Sequence, residues 1–170
     1  SFNFMDQFGD VPIILEPLNM SDEEQLYRPR DSRYDVAKQI IEDLDSAIVN
    51  LSWKGEGPAT SGRINKEAAI VMKARVALFE GTWEYYHGAE GTNFSVSGQD
   101  GIEFLQMIEP AVQELIDHQG TSIYMDGGPL NEPYNQLWAI EDGHSAEGVF
   151  WYRAYETSLL DRSHNYYGRA

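Results

Sequence analysis

Apolar positions recur at threes and fours along three stretches of the chain, and each such stretch predicts a helix. In "DSRYDVAKQIIEDLDSAIVNL", Val36, Ile40, Leu44, Ile48 and Leu51 form one stripe, which predicts an amphipathic helix over about 33–51. Ser32 stands where an N-cap belongs. Its hydroxyl can accept the Asp35 backbone N–H while the Asp35 carboxylate reaches back, an acidic variant of the capping box.

The second stretch, "NKEAAIVMKARVALFEGTWEYYH", predicts a helix over 66–87 with Asn65 as its N-cap. Placed at about 100° per residue it has two apolar faces. Ala68, Ala69, Met72, Val76, Phe79, Trp83 and Tyr86 line one; Ile70, Ala74, Ala77, Leu78 and Gly81 line the other, which consists mostly of small side chains. Lys66, Lys73, Glu80 and Glu84 form a narrow polar strip between them. Small residues allow close approach, so this helix is expected to lie sandwiched between two others.

In the third stretch, "DGIEFLQMIEPAVQELIDHQ", Ile102, Leu105, Ile108, Val112, Leu115 and Ile116 make the stripe. Pro110 falls within it and predicts a kink or a restart of the helix there. Beyond Gly120 the texture changes to Gly, Pro, Asn and Asp, which leaves room for a short helix near 132–139; "GVFWYRAY" predicts a short strand near 149–153. The opening "SFNFMDQFGDVPIILEP" reads as the tail of an element that starts upstream. Candidate caps at 32, 65 and about 100 are spaced evenly, but each interval holds one helix and a long loop, which argues against simple tandem repeats.

Composition narrows the partners. Twelve basic against 28 acidic residues give a net charge of −16, which repels nucleic-acid phosphates and anionic membrane surfaces. The absence of Cys removes disulfides, thiolate nucleophiles and Cys-ligated zinc. No apolar run is long enough to span a membrane, and no basic-then-apolar leader opens the sequence.

Four segments then carry a resemblance. "FGDVPIILEPLN", "SRYDVAKQIIEDLDSAI", "GRINKEAAIVMKARVALFEGTW" and "EGVFWYRAY" follow, in order and spacing, the pattern of the SusD/RagB family of outer-membrane glycan-binding lipoproteins of Bacteroidetes. The resemblance implies an all-α protein of tetratricopeptide-like stacked helix pairs with long loops. The helical scaffold would occupy about 1–119, and a loop-rich ligand-binding segment 120–170, within a single partial domain. It implies a glycan ligand, a SusC-like TonB-dependent transporter as partner, no cofactor, and a place on the cell-surface side of the outer membrane through an N-terminal lipid anchor. The family's lipidated Cys, its first helices and most of its C-terminal ligand-binding region have no counterpart here, so the sequence resembles a middle portion.

Candidate chemistry is sparse. Asp6 with Asp10, and Glu42, Asp43 and Asp45, could suggest paired glycosidase carboxylates, but Asp43 and Asp45 do not share a helix face, and an acid-rich surface explains them. His87, His118, His144 and His164 lack the i, i+4 spacing of a zinc site, and no G-x-S-x-G elbow or phosphate loop occurs. A non-enzymatic role is therefore expected. A helix-stack adaptor for another protein is the first alternative, and a glycoside hydrolase fragment the second. Aromatic rings stack on the apolar C–H faces of sugars while neighbouring polar groups bind hydroxyls. The residues that suit this are Trp151, Tyr155, Tyr166 and Tyr167, with Arg162 and Asn165 among them. Core packing is the competing role for these rings, and more so for Trp83, Tyr85 and Tyr86 at the end of a helix.

Overall fold

The computed structural model describes residues 2–57, 63–121, 137 and 146–151. Its elements are all helices: α1 (Phe2–Phe8), α2 (Glu23–Leu26), α3 (Arg33–Asn50), α4 (Lys66–Glu90), α5 (Ile102–Gln106) and α6 (Ile108–Gln119). The single β pairing among the described residues is an isolated bridge between Val11 and Asp31. The protein is all-α, as the periodicity predicts.

Helix α3 begins where its cap fixes it. Ser32 Oγ accepts the Asp35 N–H at 3.1 Å and donates to Asp35 Oδ2 at 2.6 Å, so the carboxylate answers the cap through the hydroxyl. The stripe then buries Val36, Ala37, Ile40 and Ile41 and half-buries Leu44. Helix α4, about 37 Å long at 1.5 Å per residue, packs against α3 on one side and against α5 and α6 on another. Its two apolar faces therefore both have partners, and Val76 and Ala77 join Met5, Val36, Ile40, Ile41 and Phe104 in the core.

Three details depart from the pattern. Leu78 and Tyr86, assigned to the apolar faces, are 52% and 61% exposed. Glu80 and Glu84, assigned to the narrow polar strip between the two faces, are 0% and 1% exposed: Arg33 of α3 pairs with Glu80, while Glu84 is buried without such a partner. The third stretch is two helices: α5 ends at Gln106, Met107 turns the chain, and α6 restarts so that Pro110 falls in its first turn, where a missing N–H breaks no intrahelical bond. Within α5, Phe104 is fully buried while Ile102, counted in the stripe, is 46% exposed.

Backbone touches backbone where α4 meets the start of α5. A Cβ on Gly101 would overlap the Gly81 carbonyl oxygen, and one on Gly81 would lie 2.7 Å from Leu105 Cγ. Gly101 also has φ +75°, a conformation that side chains disfavour.

The chain divides into two compact units, Ser1–Leu51 with Lys66–Gly120, and Ser52–Asn65 with Thr121–Ala170. In the second unit, Lys54 Nζ donates to the Val149 carbonyl and Asn65 Nδ2 to the Phe150 carbonyl, both at 2.6 Å. Residues 149–151 form no strand, so the one expected near 149–153 is absent there; 152 and 153 lie outside the described residues. The short helix expected near 132–139 also lies outside them, apart from the helical Leu137.

Overpacking tests the sandwich. Ala77→Leu should destabilise the protein by about 1–3 kcal/mol in chemical denaturation. Gly101→Ala should cost at least about 1 kcal/mol, while Val49→Ala, at an 81% exposed position, should change little. Equal, negligible effects at all three positions would contradict the packing described.

Candidate functional site

Arg33 opens α3, and its side chain enters the first unit rather than solvent, with 5% exposure. Its Nε donates to both Glu80 carboxylate oxygens at 2.8 Å, and its Nη1 donates to the Met5 carbonyl at 3.3 Å. The guanidinium carbon lies 4.0 Å from the centroid of the Trp83 ring and 5.5 Å from that of Phe79, a cation–π arrangement on α4. Arg33 Nη2 is buried without a hydrogen-bond partner.

One turn after Glu80, Glu84 faces the same interior. The Gly101 backbone N–H donates to its carboxyl, but Oε1 is buried and has no partner. Burial pushes the Glu84 carboxyl up to about 7; the charge of Glu80 adds to the rise, and the Gly101 N–H and Arg33 oppose it. Burial also raises Glu80, while the Arg33 hydrogen bonds and charge pull it back. At the outer edge Glu103 accepts from Tyr34 and Lys38, each at 2.5 Å, and these bonds hold its carboxyl below the usual range. The same bond to Glu103 holds the Tyr34 hydroxyl up at about 12.

Above the Trp83 ring the loop after α4 folds back. Thr92 Oγ1 is 2.8 Å from His87 Nδ1 and accepts the Phe94 N–H at 3.3 Å, and Trp83 Nε1 donates to the Phe94 carbonyl at 3.3 Å. Trp83 contacts His87 with ring centroids 4.3 Å apart, and both meet Phe94 edge to face. Between this loop and the end of α1 lies a cleft of about 380 Å³. Phe8, Gly9 and Asp10 form one side and Asn93 to Ser97 the other, with Ser32, Arg33 and Trp83 completing it. Asp10 Oδ1 accepts the Arg33 backbone N–H at 2.8 Å. Phe8 and Phe94 are 57% and 65% exposed.

Of the residues proposed from sequence to bind a glycan, Trp151 is described and is 63% exposed. Tyr155, Arg162, Asn165, Tyr166 and Tyr167 lie outside the described residues. Tyr85, expected in a core, is 51% exposed. Asp43 accepts from Gln39, and Asp45 pairs with Lys73 at 2.5 Å, so these carboxylates serve the α3 and α4 surfaces. Among the described residues no three ligating side chains gather as a metal site would require. Sequence reasoning missed the cleft because its residues come from four separated segments. The chain matches no protein-family model, no curated protein and no solved structure.

Glu84 gives the fold a signed pH dependence. Its carboxyl is raised from 4.5 to about 7, so the folded state holds the proton more tightly than the unfolded chain. That contribution is complete below pH 4.5 and is lost as pH rises to about 7, a change of about 3 kcal/mol. Glu84→Gln keeps an acceptor for Gly101 without the charge. Urea titrations should therefore show the variant more stable than wild type at pH 8, with the gap closing by pH 5. A gap that does not depend on pH would contradict the assignment.

Proposed function

We propose that this chain belongs to a non-enzymatic carbohydrate-binding component of an outer-membrane nutrient-uptake complex, one that works with a TonB-dependent transporter. The observation that carries this reading is the resemblance of four ordered sequence segments to the SusD/RagB pattern. The fold is compatible with it: α4 lies between α3 and α5/α6, as a scaffold helix in a stack of helix pairs would. The role assigned to such a scaffold is to hold loops against a sugar. Loops carry binding groups more often than the helices that support them.

On this reading the ligand surface includes Tyr155, Tyr166 and Tyr167, with Trp151, Arg162 and Asn165 beside them. Lipid anchoring and the transporter interface belong to the whole protein that the resemblance implies. The reaction carried out is none: the ligand is bound and handed on unchanged.

A glycan-array screen followed by calorimetry tests this. A neutral oligosaccharide or polysaccharide should bind, and alanine at Tyr155, Tyr166 or Tyr167 should each weaken binding by about 1–3 kcal/mol, the scale of a lost stacking platform. No reducing ends should be released from starch, xylan or mannan. Hydrolysis that follows the purified protein, or a screen without any glycan hit, would contradict the proposal.

A further inference from the structure

We infer that the cleft between the end of α1 and the loop after α4 is a saccharide subsite on the helical scaffold, selective for neutral sugars. This inference rests on the proposed function and adds a second place of contact, separate from the tyrosine-rich tail. At about 380 Å³ the cleft lies toward the small end of ligand pockets, which run to about 300–1,000 Å³, so it suits a short saccharide stretch.

Its lining separates platforms from supports. The guanidinium of Arg33 lies over the Trp83 ring, and His87 packs closely against that ring, so Trp83 acts as a support. Phe8 and Phe94 are the exposed rings, one from each side of the cleft, and a pyranose can lay its C–H face on either. Around them Asn93, Ser95 and Ser97 offer neutral donors and acceptors, and Asp10 offers an acceptor that several hydroxyls can share.

Charge sets the selectivity. The Arg33 charge is bound to Glu80 inside the unit, so the cationic residue of the cleft is already neutralised. Asp10 is then the charged group left to face a ligand, and the chain as a whole carries −16. Uronic acids and sulfated sugars are repelled from such a surface, whereas neutral hydroxyls donate to it without penalty. A lone ammonium group would be attracted by Asp10, but it would leave most of the Ser and Asn groups unused.

Saturation-transfer NMR on the intact protein tests the subsite, with maltoheptaose, cellohexaose, xylohexaose and mannohexaose as neutral probes. Oligogalacturonate serves as the anionic probe and oligoglucosamine as the cationic one. At least one neutral probe should bind more tightly than either charged probe. Phe8→Ala and Phe94→Ala should each weaken it by about tenfold, with circular dichroism close to wild type in both; the thermal midpoint should hold in Phe8→Ala, while Phe94→Ala also gives up its edge contacts to Trp83 and His87. Unchanged affinity in both variants, with a neutral probe still bound, would overturn the subsite and leave the proposed function standing. Preference for a charged probe would overturn the neutral selectivity and, with it, this inference. Failure of all probes to bind would overturn both readings.

Discussion

A guanidinium removed from water dictates how the first unit is assembled. Burying a charge costs several kcal/mol unless partners replace the lost water. Arg33 obtains its partners from three directions: the Glu80 carboxylate on α4, the Met5 carbonyl at the buried point of α1, and the Trp83 ring that covers its face. One side chain therefore fixes the register of α3 against α4 and holds α1 to both. Apolar contacts of Val36, Ile40 and Val76 are non-directional and set the helix register less sharply. The Arg33–Glu80 bonds require a defined distance and direction.

The same arrangement carries a cost on its far side. Glu84 follows Glu80 by one turn into a space served by a single buried cation, and its Oε1 has no partner. Burial, with the charge of Glu80 added to it, raises the Glu84 carboxyl to about 7, so that Glu84 holds its proton up to about neutral pH. Close contact between Gly81 and Gly101 brings the Gly101 N–H to that carboxyl, so the glycines and the glutamate belong to one solution of the same problem. Outside this centre, Trp83, His87 and Thr92 anchor the loop that forms one side of the cleft. The binding surface proposed for sugars is thus built on the outer face of the Arg33 support.

Much of the scaffold was legible in the sequence for local reasons. The Ser32 cap, the α3 stripe and the paired faces of α4 follow from spacing and side-chain size. The Pro110 restart follows from a missing N–H. What was not legible depends on contacts between distant segments. Glu80 and Glu84 look like solvent residues until Arg33, 47 positions earlier than Glu80, is seen to face them. The stripe includes Ile102 and not Phe104, yet in α5 it is Phe104 that enters the core, since a five-residue helix is too short for its periodicity to show which side is packed. The cleft escaped notice because Phe8, Arg33, Trp83 and Phe94 share no local pattern.

The claim that Arg33 and Glu80 form the pair on which this unit depends is tested most directly by a double-mutant cycle with Arg33→Met and Glu80→Met, read by urea denaturation at pH 7. Each single substitution leaves the other charge buried and alone, and should destabilise by about 3–5 kcal/mol. Replacing both removes both charges, so the double variant should recover most of that loss and lie closer to wild type than either single variant. Losses that simply add would mean that the two side chains do not depend on each other, and would contradict the account.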